Sequence, residues 1–144
     1  MTRGWVVDAS VAVKPYLNED LSEIAESLLQ RGRTSQGSIF VPDLFYTACA
    51  NIFWKHVRRQ NIHSAHARQS LRNLTSVMLF PVSGTDLLHD ALDLALEYGI
   101  TAYDATYVAL SDDLRLPLVT ADEKLIGKLK DSGTDIHWLG DLTA

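Results

Sequence analysis

The sequence predicts an α/β fold in three layers, a central, mainly parallel sheet between helices, with an inserted helical arm. The first observation behind this is a set of four short apolar runs, 5–7, 38–41, 79–82 and 116–120, none with polar alternation. Such runs fit strands that are covered on both faces. The second is that amphipathic helical stretches separate them, and alternating strands and helices imply parallel pairing through right-handed crossovers. A fifth, less pronounced run lies at 135–139.

The helical stretches follow from spacing. Residues 22–31 place Ile24, Leu28 and Leu29 on one face. Residues 43–59 begin after Pro42, a residue favoured in a helix's first turn. Residues 64–76 group Ala67, Leu71 and Leu74, and 86–98 group Leu87, Ala91, Leu94 and Ala95. Stretches 103–113 and 123–130 complete the set. Two helices follow one another between 43 and 76 without a strand, and these form the arm. The breaks are short, at 31–37, 83–84, 99–100 and 132–133. There is no repeat, low-complexity tract or long linker, so residues 1–144 are read as one domain.

Composition narrows the class. Of 144 residues, 47% are hydrophobic, enough for a packed core and far from the disordered class. No stretch approaches the roughly 20 apolar residues that a membrane span requires. The opening, Met1 to Asp8, runs straight into a strand-like segment and lacks the apolar region and cleavage site of a secretory signal. The single cysteine, Cys49, cannot form an internal disulfide. Both features lead us to expect a cytoplasmic protein. The net charge of −5 excludes a surface that is basic throughout, so nucleic-acid contact would need a local patch or metal-screened acids.

Three aspartates stand where an α/β sheet exposes chemistry. Asp8 ends the first strand, Asp122 follows a late strand, and Asp104 lies near the start of a helix. Open parallel sheets bind ligands beyond the carboxyl ends of their strands. Gathered carboxylates repel one another and raise each other's pKa, unless a hard divalent cation neutralises them. Mg²⁺ or Mn²⁺ would activate water and stabilise charge on a phosphoryl group under attack. Each aspartate also has a plain reading as a helix cap; it is their joint placement that favours a metal site. No Cys/His spacing suggests zinc, although His56, His63 and His66 share a helical region. A phosphotransferase of the haloacid-dehalogenase kind would want a second Asp two residues after Asp8, where Ser10 stands.

Four segments in order resemble the PIN-domain family, in particular the VapC-type toxins. They are Val6 to Lys14, Val41 to Lys55, Thr101 to Leu110, which is the most specific, and Leu118 to Leu125. The resemblance implies an Mg²⁺- or Mn²⁺-dependent endoribonuclease that leaves a 5′-phosphate and a 3′-hydroxyl. It implies a homodimer inhibited by a cognate antitoxin, with RNA as substrate; the lack of a long apolar stretch leads us to expect no membrane partner. Asp8, Asp104 and Asp122 match family acids, which makes them the expected catalytic and metal-binding residues. Ser10 and Thr120 match hydroxyl residues that would orient a carboxylate or a water.

One position departs from the pattern. The family has a glutamate in the helix after the proline, where this chain has Ala48. Alanine offers neither a metal ligand nor a base. Asp43 lies five positions earlier and faces another direction; Asn51, three positions later, could approach the same face but is neutral. Attenuated cleavage is therefore expected, and a non-catalytic RNA- or antitoxin-binding PIN module is the alternative. Lys14, Lys55, His56, Arg58 and Arg59 could contact an RNA backbone. Arg58 and Arg59 read better as a solvated helix end, leaving Lys14, near Asp8, as the RNA-binding candidate. Phe45, Tyr46, Phe53 and Trp54 read as core or dimer surface, and Cys49 as a small buried hydrophobe.

Overall fold

The computed structural model describes residues 4–31 and 37–142. Residues 1–3 of the predicted start and 32–36 of the predicted break lie outside them. Five strands, β1 (Gly4–Val7), β2 (Ser38–Pro42), β3 (Phe80–Val82), β4 (Leu118–Thr120) and β5 (Ile136–Trp138), form one sheet in the order β3-β2-β1-β4-β5. Every pairing is parallel. The central strand β1 pairs through Val6 with Phe40 and through Val7 with Val119. Val6 and Val7 are fully buried, as expected of a strand covered on both faces.

Eight helices are described: α1 (Ala9–Ala12), α2 (Lys14–Leu17), α3 (Ser22–Arg31), α4 (Phe45–Arg58), α5 (Ser64–Thr75), α6 (Leu88–Tyr98), α7 (Ala102–Leu114) and α8 (Glu123–Leu129). Helices α4 and α5 fall between β2 and β3 as the expected arm. Helix α7 packs on β1, β2 and β4, and α6 covers it from outside. Seven consecutive α7 residues, Ala105 to Ser111, are buried. A helix hydrophobic on nearly every side belongs to a protein's interior. Its polar members are satisfied locally: Thr106 Oγ1 donates to the Ala102 carbonyl at 2.8 Å, and the Ser111 hydroxyl donates to the Leu116 carbonyl.

Several boundaries differ from the sequence expectation, each for a local reason. The helix expected from 43 begins at Phe45. Asp43 belongs to the strand end instead: its N–H donates to the Val82 carbonyl at 2.9 Å and its Oδ1 accepts from the Gly84 N–H at 3.1 Å. The stretch 86–98 divides into a 3-10 turn, Gly84–Leu87, followed by α6. The run 116–120 narrows to β4, because Pro117 lacks an N–H and contributes its carbonyl, which accepts from the Val6 N–H at 2.8 Å. The segment after Asp8 forms two short helices, with Pro15 in the first turn of the second. Gly99 closes α6 in the left-handed region (φ +67°), where a side chain would be strained. That turn delivers the chain to Thr101 at the start of α7.

Candidate active site

Because β1 and β4 run parallel, both end at the same sheet edge. Asp8 follows β1 directly, and Asp122 follows Thr120 at the end of β4 by two residues. Asp104 reaches the same edge through the first turn of α7. All three line one cleft of about 570 Å³, together with Ser10 of α1 and with Thr47, Ala48 and Asn51 of α4.

The local sequence holds each carboxylate in place. Asp8 is the N-cap of α1: its Oδ1 accepts from the Ser10 N–H at 3.0 Å and from the Ser10 hydroxyl. Ser10 Oγ in turn accepts from the Ala121 N–H at 3.1 Å, tying α1 to the end of β4. Asp122 is the N-cap of α8, and its Oδ1 accepts from the N–H groups of Lys124 at 2.9 Å and Leu125 at 3.3 Å. Thr120 is buried and does not line the cleft; its Oγ1 accepts from the Asp122 N–H at 3.1 Å and so orients the following turn. Asp104 is not a cap. Thr101 caps α7 by accepting from the Asp104 N–H at 3.1 Å, and Asp104 sits three residues on. Asp8 and Asp122 are thus helix caps, and both still line the cleft.

The electrostatics are those of carboxylates drawn out of water and set beside one another. Asp8 is buried, and its pKa is raised from 3.8 to about 6, chiefly by desolvation. Hydrogen bonds from Ser10 and Thr120 counter this, while the charge of Asp104 adds to it. Asp104 is also raised, by burial first and by the charge of Asp122 second, against the influence of Thr101 and Lys128. None of the three forms a salt bridge among the described residues. Nor do three or more Asp, Glu, His or Cys side chains there gather closely enough to hold a metal between them. The donor set still fits Mg²⁺ or Mn²⁺, hard ions that bind through one or two carboxylates and keep several waters.

Other residues of the cleft escaped the sequence reading. Tyr103 and Tyr107 flank Asp104 on α7 and line the same space. The Tyr107 hydroxyl is buried beside the Ala9 backbone, and burial together with the charge of Asp8 raises its pKa. A tyrosine one turn beyond an aspartate on a helix was the available signal. A second depression of about 350 Å³ shares Asp104 and Asp122 and adds Lys124 and Lys128. Their four-residue spacing along α8 places these lysines on one face. Lys14, by contrast, does not line the cleft: its Nζ lies 3.1 Å from Glu19 Oε2, and His56 approaches the same carboxylate at 3.6 Å. Proximity in sequence to Asp8 did not carry it to the site, because α2 turns away after Val13. Phe45, Phe53 and Cys49 are buried as expected, whereas Trp54 is about half exposed beneath the Arg58 guanidinium.

A five-stranded parallel sheet with an acid-lined cleft at its carboxyl edge defines an α/β protein built for ligands at that edge. The PIN-domain family model matches residues 5–129, and the chain belongs to that family. It is 36% identical to Ribonuclease VapC3 of Pyrobaculum aerophilum over 125 residues, covering 85% of this chain and 92% of the relative. Its fold superposes on the crystal structure of PAE2754 from the same organism with a TM-score of 0.71 at 24% identity, covering 97% of this chain and 93% of the other. A toxin–antitoxin complex from Klebsiella pneumoniae gives a TM-score of 0.62 at 11% identity, covering 92% and 94%. These structural likenesses concern the fold.

Proposed function

We propose that the protein is an Mg²⁺- or Mn²⁺-dependent endoribonuclease, the toxin of a type II toxin–antitoxin pair acting in the cytoplasm, with activity lowered by Ala48. The observation that carries this reading is the meeting of Asp8, Asp104 and Asp122 in one cleft at the carboxyl edge of the sheet. The similarity to a VapC ribonuclease over most of both chains supports it.

Asp8 and Asp104 would hold the cation, and Asp122 would add negative charge beside them. Such an ion supplies neutralisation of phosphoryl charge and activation of water. The chain's own groups do the rest. Ser10 keeps Oδ1 of Asp8 occupied, so the carboxylate presents a fixed orientation to the cleft. Thr101 and Thr120 fix the turns that carry Asp104 and Asp122. Lys124 and Lys128 line the depression that shares Asp104 and Asp122 and would take flanking phosphates of the RNA. Ala48 leaves the α4 side of the cleft without a base, and Asn51 offers only a neutral amide there.

The partners in this reading are an RNA substrate, a cognate antitoxin and a second copy of the chain. Exposed Leu88, Leu92 and Leu96 make an apolar stripe along α6 that suits the homodimer. Among the described residues no helix is long and apolar enough to cross a membrane.

A second reading, a non-catalytic RNA- or antitoxin-binding module, is favoured by Ala48 alone. Cleavage of RNA with and without Mg²⁺, by this chain and by Ala48→Glu, separates the two. Metal-dependent cleavage that is stronger in Ala48→Glu supports the nuclease. RNA binding without cleavage by either form supports the module.

A further inference from the structure

We propose that Tyr103 is a stacking platform for an unpaired nucleobase, so that the cleft takes a single-stranded nucleotide with its base on α7 and its phosphate at the acids. This deepens the nuclease reading and rests on it.

Tyr103 is 73% exposed, yet it precedes Asp104 and lines the acid cleft itself. The next residues of α7, Ala105 to Ser111, are buried, so this ring is the aromatic face that α7 offers to solvent at the site. It makes no ring-to-ring contact among the described residues. One turn further along, Tyr107 continues the aromatic surface into the cleft. Opposite chemistry comes from α4 and its cap, whose contributions (Leu44, Thr47, Ala48, Asn51 and Ile52) are all uncharged. The cleft therefore has an acidic part, suited to a cation and only through that cation to a phosphate, and a neutral, largely apolar part, suited to neither.

Size argues the same way. A cation with six waters needs roughly 200 Å³ at about 30 Å³ per water. The cleft holds about 570 Å³, which leaves room for a planar base beside the ion. Bases stack on aromatic side chains whatever their sequence, and a paired base inside a duplex has no free face to offer.

The test uses the full chain, a short unstructured RNA, the same RNA made abasic beside the cleaved bond, and the matching duplex. Affinity is read by fluorescence anisotropy in EDTA and in Mg²⁺, and kcat and KM are read separately in Mg²⁺, in the Ala48→Glu background as well as the parent. Tyr103→Ala is expected to weaken binding of the intact single strand about five- to 100-fold, mainly in KM. Tyr103→Phe should restore it. The abasic strand and the duplex should bind the parent more weakly than the intact strand and be indifferent to Tyr103→Ala. Equal binding of intact and abasic RNA by the parent, or no effect of Tyr103→Ala on the intact strand, overturns the proposal. So does a change in sedimentation on Tyr103→Ala, which would make the ring a subunit contact. Asp8→Asn is the control for the underlying reading. If it abolishes cleavage while Tyr103→Ala binds every RNA as the parent does, only the stacking proposal fails. If neither form cleaves or binds RNA, or cleavage survives Asp8→Asn, both fail together.

Discussion

Asp8 is the residue on which most depends, and its burial has a measurable consequence. An unfolded Asp8 titrates near 3.8 and the folded one at about 6. Between those values the folded chain keeps a proton that the unfolded chain has lost, so this group's contribution to stability falls as pH rises through the window. At about 1.4 kcal/mol per unit the loss is at most about 3 kcal/mol. Asp8→Asn keeps an oxygen that accepts from Ser10 but does not ionise. Urea unfolding near pH 4.5 and near pH 7.5 should therefore show the parent losing stability across this range, relative to Asp8→Asn. Adding Mg²⁺ should raise the parent's Tm more at the higher pH, where the ligand is deprotonated, and leave that of Asp8→Asn almost unmoved. At position 48, Ala48→Glu should raise Mg²⁺-dependent cleavage by about tenfold or more, equivalent to about 1.4 kcal/mol of barrier. Equal rates in both forms would remove any catalytic importance from that position.

At the level of the elements, Asp122 serves α8 and the site at once, and substitution can separate the two. Asp122→Ala removes the side chain that accepts from Lys124 and Leu125, so it should cost about 1 kcal/mol of stability by thermal unfolding. Asp122→Ser keeps a capping oxygen without the charge and should retain most of that stability. If Asp122 acts on the cation, both variants lose cleavage; if it only caps α8, Asp122→Ser cleaves like the parent. Helix α8 also carries Lys124 and Lys128. Replacing both with alanine should weaken RNA binding across sequences and make log affinity fall less steeply with log salt, by a slope of about 1 for each phosphate that is no longer neutralised.

Across the whole molecule, the acidic balance and the basic shoulder have different reach. With a net charge of −5, long-range steering of RNA is not expected from the chain as a whole, and in the proposed function the lysines of the depression beside α8 supply local attraction. The α6 stripe is the other global feature. Leu92→Glu puts a charge in the middle of Leu88, Leu92 and Leu96 without touching the buried Leu87 and Ala91. Sedimentation should show a shift from dimer to monomer, with a Tm that no longer depends on protein concentration, whereas an unaltered sedimentation coefficient would place the subunit contact elsewhere.

The order of the elements follows from the sequence, because a buried parallel strand and an amphipathic helix have periods that a reader can count. The runs around Val6, Val41 and Val119 and the face formed by Leu87, Ala91 and Leu94 are plain from residue order alone. Asp8, Asp104 and Asp122 were legible for a similar reason: each stands just past a strand or just inside a helix. What pattern could not supply was orientation. Lys14, six residues from Asp8, is turned toward Glu19, while Lys128, 120 residues away, sits beside the acids. Tyr103 and Tyr107 have the spacing of ordinary helix residues, and only the packing of the folded chain leaves one at the mouth of the cleft and buries the other beside Asp8, Ala9 and Cys49. Local spacing records which face a residue takes within its own element; the neighbours of that face are set by long-range packing.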